Sequence, residues 1–295
     1  MRENDLIRAL RGRIADPAGT RGIGDDCCEW TPGGRTCLSV DAVVEGVHFT
    51  PDTDPLLVGR KAAAAALSDL AAAGAKPVGA AVTLCCPARW NGLAVMEGLL
   101  AELQRHGCPL LGGDTTGAQQ LMVSVTVWGE AHEHSRLLNR HSGEAGDLLV
   151  VTGPLGGSFA SGRHLRPEPR LAEGQWFAAS PYVHACMDLS DGLAADAPKL
   201  AEASGLGCLL LPNQVPVHQD VTAARAMEAA CGDGEDYELL VAIAPEHWPH
   251  VQLAWPFDRG LALVGWLTPE TDHTMEDAQG RRVPLTLRGY EHPLT

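Results

Sequence analysis

Apolar positions alternate with period two, then recur with helical period, in regular succession along the chain. Thr36–Val44 reads as a strand that ends near Asp41, and residues 58–74, rich in alanine, read as a helix closed by glycine where a C-cap belongs. A strand over 78–85, a helix over 93–106 and a β-branched strand over 121–129 follow. From 140 to 146 the chain turns polar and glycine-bearing, and a new strand over 147–152 restarts the alternation, so a domain boundary is expected there. The second half predicts a helix over 155–164, a proline-rich stretch over 166–170, a strand over 182–189 and a helix over 192–204. Strands over 207–211, 237–243 and 260–264 precede a loop-like connection over 268–280. The pattern is that of an α/β protein in two domains, residues 1–140 and 141–295.

Composition narrows the chemistry. The 295 residues, 45% hydrophobic and 20% charged, are enough for a sizeable core. A formal net charge of −15 argues against a nucleic-acid or membrane-surface binder, which needs a basic face. The lysines are Lys61, Lys76 and Lys199, and none lies in a glycine-rich loop of the Walker type, so a phosphorylated ligand must be met by arginine and metal. Nine cysteines show no Cys-x-x-Cys spacing and read as reduced thiols of a cytoplasmic protein. The polar N-terminus lacks a signal-peptide core, and no apolar run is long enough to span a bilayer.

Short carboxylates recur at the edges of elements: Gly22-Ile-Gly-Asp-Asp26, Ser39-Val-Asp41, Ser68-Asp69, Gly112-Gly-Asp114 and Asp188-Leu-Ser-Asp191. Oxygen ligands held by tight structure suit a hard cation such as magnesium. Each has a structural alternative. Asp25-Asp26 and Gly112-Gly-Asp114 fit glycine turns, Asp188 a strand-end carboxylate, and Asp191 the N-cap of the helix that follows. Asp41, however, lies inside an apolar strand where a lone carboxylate is costly, and Asp69 lies near the negative end of a helix dipole. Placement against local preference points to a site. His132-Glu-His134 lacks a third ligand at useful spacing and reads as a solvated loop, whereas His48 follows the Asp41 strand closely.

In their order, Gly22-Ile-Gly-Asp-Asp26, Ser39-Val-Asp41 leading into Val44-Glu-Gly-Val-His48-Phe49, Ser68-Asp-Leu-Ala-Ala-Ala-Gly-Ala75, Gly112-Gly-Asp114-Thr115, Asp188-Leu-Ser-Asp-Gly-Leu193 and Gly234-Glu-Asp-Tyr-Glu-Leu239 resemble the signatures of the thiamine-monophosphate kinase family. That family belongs to the superfamily of aminoimidazole ribonucleotide synthetase and selenophosphate synthetase. The resemblance implies a two-domain PurM-like fold, α/β of the α+β type. Its N-terminal domain forms the sheet of a homodimer, and its C-terminal α/β domain closes over the nucleotide. It implies ATP-dependent phosphorylation of thiamine monophosphate with several Mg2+ ions. Asp26, Ser39, Val40, Asp41, Asp69, Asp114, Asp188 and Asp191 become magnesium-site residues, with Val40 able to offer only its backbone where many relatives carry Thr. Gly113, Asp114, Arg140 and Ser190 become nucleotide contacts, and His48, Glu235 and Tyr290 substrate contacts. Asp41, Asp191 and Arg140 carry the catalytic assignment. The absence of a cysteine before Cys27 and the ending His292-Pro-Leu-Thr295 disfavour selenophosphate synthetase and the hydrogenase-maturation branch. Aminoimidazole ribonucleotide synthetase and a catalytically silent, ion-stabilised binding protein remain as alternatives. The segment from 165 to 182 is shorter than in relatives, which predicts a trimmed surface helix or loop.

Overall fold

The computed structural model describes residues 34–132 and 135–291, so Asp26 and its glycine motif lie outside the described residues, as do Glu133 and His134. The chain forms two compact units. One runs to Leu70 and from Ala75 to His132; the other takes Ala71–Gly74 and the rest of the described chain.

In the first unit the elements are β1 (Thr36–Val44), α1 (Pro55–Ala72), β2 (Ala75–Cys86), α2 (Gly92–Arg105), β3 (Leu110–Gly117) and β4 (Met122–Ala131). The strands make one sheet in the order β1-β4-β2-β3, antiparallel except for the β2/β3 pair. Alternation decides which side chains meet the helices. Val43, Val82, Leu84, Val123, Val125 and Val127 are buried, as are Ala62 to Ala66 and Ala71 of α1 and Leu99 and Leu103 of α2. The opposite parity is left open: Leu38 and Val40 are 57% and 58% exposed.

The second unit contains β5 (Leu148–Val151), α3 (Ser158–Ser161), α4 (Leu171–Ala179), β6 (Val183–Asp188), α5 (Leu193–Ala203), β7 (Gly207–Leu210), α6 (Ala226–Gly232), β8 (Leu239–Ile243), α7 (Trp248–Ala254), β9 (Ala262–Thr268), β10 (Thr274–Glu276) and β11 (Arg282–Pro284). Its seven strands are ordered β11-β10-β7-β9-β5-β8-β6. Strands β5 and β8 are apolar throughout, the mark of strands covered on both faces. Leu193, Ala197 and Leu200 bring α5 onto the core formed by Leu149, Met187, Leu210 and Leu240, each such burial stabilising by about 1.5–3 kcal/mol for a leucine-sized side chain.

Two of the structural alternatives and one expected helix change. Gly112-Gly-Asp114 is not a turn but part of β3, where Gly113 lies so close to β2 that a Cβ would stand 2.1 Å from the Val82 carbonyl oxygen. The helix expected over 155–164 shrinks to α3 and a 3-10 turn at Arg163–Leu165, because Gly156, Gly157 and Gly162 adopt left-handed φ of 91°, 76° and 76°. Asp191 does not cap α5 with its side chain; Gly192 is the N-cap residue, and the Asp196 carboxylate instead accepts the Asp191 N–H at 2.9 Å. The helices α4, α6 and α7, at most nine residues each, carry too little periodicity to be read from sequence. Among the described residues no helix is long and apolar enough to cross a membrane.

Candidate active-site residues in two units

In the first unit, Ser39 and Asp41 stand two residues apart on β1, opposite Val127 and Val125 of β4, and therefore on the helix-covered face. Ser39 Oγ donates to Asp69 Oδ2 of α1 at 2.5 Å. Asp41 Oδ1 accepts the N–H of Ala42 at 2.7 Å, which orients the carboxylate. The structure thus brings Ser39, Asp41 and Asp69 to one corner. Val40 has the other parity, with its side chain turned to the open face.

Asp114 is not at that corner. Through the register Asp41↔Val125↔Val82↔Gly113, β3 lies three strand spacings from β1, about 14 Å at the usual 4.8 Å per strand. Asp114 pairs with Thr83 and so has the opposite parity as well. No single ion can take Asp41 and Asp114 of one chain.

His48 closes the turn after β1. The turn is fixed by a residue that motif reading left without a role, Glu45, which is 4% exposed. Its carboxylate accepts from Arg89 Nη2 at 2.6 Å, from Trp90 Nε1 at 3.1 Å and from the Leu121 N–H at 3.0 Å. The Arg89 hydrogen bond, followed by the Leu121 amide, holds the Glu45 carboxyl below the usual carboxylate range.

In the second unit three segments distant in sequence meet around Asp188-Leu-Ser-Asp191. The Glu235 N–H donates to Ser190 O at 2.7 Å, the Tyr237 N–H to Leu189 O at 2.8 Å, and the Tyr290 N–H to Asp191 O at 2.8 Å. Asp188 is buried at the end of β6, and Asn139 O accepts the Cys186 N–H at 3.0 Å, which sets the exposed Arg140 alongside that strand. Asp191 is paired with Lys199 Nζ at 2.5 Å, and the same ammonium reaches buried Asp196 at 2.8 Å. The segments that carry Asp188, Ser190, Asp191, Glu235 and Tyr290 are therefore neighbours, joined through their backbones.

The Gly-Glu-Asp-Tyr-Glu loop is strained. Glu235 and Tyr237 have φ of 67° and 53°, a region that non-glycine residues enter at a cost of about 1–3 kcal/mol. The two acids beside them hold it. Asp236 accepts from the Gly156 N–H at 2.7 Å, Ser158 Oγ at 2.9 Å and Arg163 Nη2 at 2.8 Å. Glu238 accepts from Thr152 Oγ1 at 2.7 Å and from Arg170 Nε and Nη2 at 2.8 and 2.7 Å. Burial pushes the Asp236 carboxyl up to about 6 against these donors. Its folded-state value is raised, so its contribution to stability is present near pH 4 and is lost as pH rises through 6. The stability of the protein minus that of its Asp236→Asn variant, measured by denaturant titration, should fall between pH 4.5 and 7; a difference that grows with pH would contradict this assignment.

Ser39, Asp41 and Asp69 offer only hard oxygen donors, which fits magnesium and not a thiophilic metal. Among the described residues no three His, Cys, Asp or Glu side chains are grouped closely enough to hold an ion alone. Magnesium bound through one or two carboxylates with substrate phosphates and water suits so sparse a donor set.

Residues 24–131 match the family model "AIR synthase related protein, N-terminal domain". Over 267 residues the chain is 38% identical to the thiamine-monophosphate kinase of Rhodopirellula baltica, covering 83% of each chain, and over 280 residues 33% identical to that of Bacillus subtilis, covering 84% and 85%. The crystal structure of thiamine-monophosphate kinase from Stenotrophomonas maltophilia superposes with a TM-score of 0.80 at 28% identity, covering 95% of this chain and 96% of that one. Fold and motifs together define an AIR synthase-related protein of two α/β units. Within that class the chain belongs to the thiamine-monophosphate kinase family.

Proposed function

We propose that this chain phosphorylates thiamine monophosphate with ATP, giving thiamine diphosphate and ADP. Family membership supports the activity, and the backbone pairing that brings together the segments carrying Asp188, Ser190, Asp191, Glu235 and Tyr290 is the observation that supports the site. A terminal phosphate oxygen of thiamine monophosphate attacks the γ-phosphorus in line; the bond to the β,γ-bridging oxygen breaks, and ADP leaves with that electron pair. The attacking oxygen is already an anion, so no strong base is required, and the described clusters contain no activated nucleophile of the Ser-His type. Positioning and charge neutralisation are then the main sources of rate.

Magnesium, when bound, supplies the positive charge that offsets repulsion between the two phosphates. Ser39, Asp41 and Asp69, with the Val40 backbone and Asp26, would hold it on the first unit, and Asp188 and Asp191 on the second. The separation of Asp114 from Asp41 within one chain calls for more than one ion. Arg140, Ser190 and Gly113 with Asp114 would orient the nucleotide, while His48, Glu235 and Tyr290 would hold the thiamine moiety. Residues 1–140 and 141–295 are the corresponding domains of a cytoplasmic enzyme. EDTA should abolish turnover and added Mg2+ restore it; activity that survives EDTA would rule out the metal assignment.

The open face of the first sheet favours a homodimer. Leu38 and Val40 lie exposed on it beside half-buried Trp128, the kind of apolar surface that a second copy covers. The protein should sediment as about twice its 31.2 kDa chain mass, and Leu38→Glu should shift it to monomer at micromolar concentration; a wild-type monomer would overturn the dimer.

A further inference from the structure

Lys61 of α1 is fully buried, with no exposed surface, among the alanines that precede Ser68 and Asp69. A buried ammonium is costly unless hydrogen-bonded, so its placement calls for a reason. Its Nζ donates to the backbone carbonyl of His48 at 2.6 Å. It thereby ties the helix that carries Asp69 to the turn that carries His48.

That turn is closed from several sides. The N–H groups of Val47 and His48 donate to Val44 O at 3.1 and 2.9 Å, and the Gly46 N–H donates to Phe49 O at 2.8 Å. The Val44 N–H donates to His48 Nδ1 at 3.0 Å. A ring nitrogen that accepts a backbone N–H carries no proton, so the imidazole is neutral with its hydrogen on Nε2. Phe49, 1% exposed, anchors the far end of the turn edge-on against Trp90, with ring centroids 5.8 Å apart. Glu45 fixes the start, and Lys61 holds the carbonyl of the residue whose ring is oriented.

We propose that Lys61 is a positioning residue for substrate: through the His48 carbonyl it holds the neutral His48 ring so that Nε2–H is presented as a hydrogen-bond donor to an oxygen of the thiamine phosphate. This rests on the reading of His48 as a substrate contact. A phosphate oxygen, acceptor-only when ionised, is the chemical group that such a fixed donor fits.

The test is a double-mutant cycle of Lys61→Met and His48→Ala, with melting temperature and the KM values for thiamine monophosphate and ATP read in parallel. Methionine fills the lysine volume but leaves the His48 carbonyl without its donor, so the variant should fold and melt several degrees below the parent. Its KM for thiamine monophosphate should rise about tenfold, the scale of one charge-assisted hydrogen bond, while the KM for ATP and kcat change less than twofold. In the His48→Ala background the same change should add nothing. Additive losses, or an unchanged KM in a folded Lys61→Met variant, would overturn the proposal. An unchanged KM in His48→Ala alone would instead overturn the substrate role of His48. A measurement that needs no variant guards against misfolding: 15N-labelled histidine spectra of the parent should show His48 protonated at Nε2 and bare at Nδ1, and the reverse tautomer would sink the proposed orientation.

Discussion

Asp41→Asn should lower turnover by about a hundredfold to a thousandfold, the cost of removing one fixed electrostatic contributor at a reacting centre, if Asp41 holds the proposed magnesium. The substitution is close to isosteric. Its Oδ1 can still accept the Ala42 N–H that orients the native carboxylate at 2.7 Å, so the strand and its pairing with Val125 should persist. What is lost is the negative charge beside Ser39 and Asp69, and with it affinity for a hard cation. The rate should become less dependent on magnesium over the range in which the parent rises steeply, while the circular dichroism spectrum and melting temperature stay near those of the parent. A variant with near-parental turnover would remove Asp41 from the site.

Glu238→Ala should give the largest loss of stability. The carboxylate is 3% exposed and takes four donors: Thr152 Oγ1, two nitrogens of Arg170, and Arg259 Nη1 at 3.2 Å. Arg170 is itself buried, so alanine leaves a guanidinium without its bidentate partner. Breaking one side of such a pair costs about 3–5 kcal/mol. For a domain of this size that is a fall of roughly 10 °C in melting temperature. The left-handed conformations of Glu235 and Tyr237 depend on the same anchoring, so the loop that presents Glu235 should also become susceptible to protease. A loss below about 1 kcal/mol by denaturant titration would show that the network contributes little.

The sequence made the long, strongly patterned elements legible. Strand β1, the two helices of the first unit and the strand–loop–helix around Asp188 and Asp191 fall within a few residues of their observed bounds, because period and glycine punctuation agree there. β3 was hidden because Gly112 and Gly113 have poor strand propensity, and only pairing with β2 makes that segment extended. The short helices α4, α6 and α7 depend on tertiary packing. Of the proposed site, placement against local preference singled out the carboxylates, and the roles proposed for them come from the family resemblance alone. The supporting residues Glu45, Lys61, Asp236 and Glu238 could not be assigned: a buried Lys in an alanine-rich helix looks, in one dimension, like any surface lysine. Nor could motif order show that Asp114 occupies the far edge of the sheet from Asp41, since strand order is set by pairings remote in sequence.

The most direct test is to incubate the purified protein with ATP, Mg2+ and thiamine monophosphate and to follow thiamine diphosphate and ADP together by chromatography. Equal amounts of the two products, with neither formed when unphosphorylated thiamine replaces the monophosphate, are predicted. Hydrolysis of ATP without thiamine diphosphate, or nucleotide binding without either product, would contradict the proposed phosphoryl transfer.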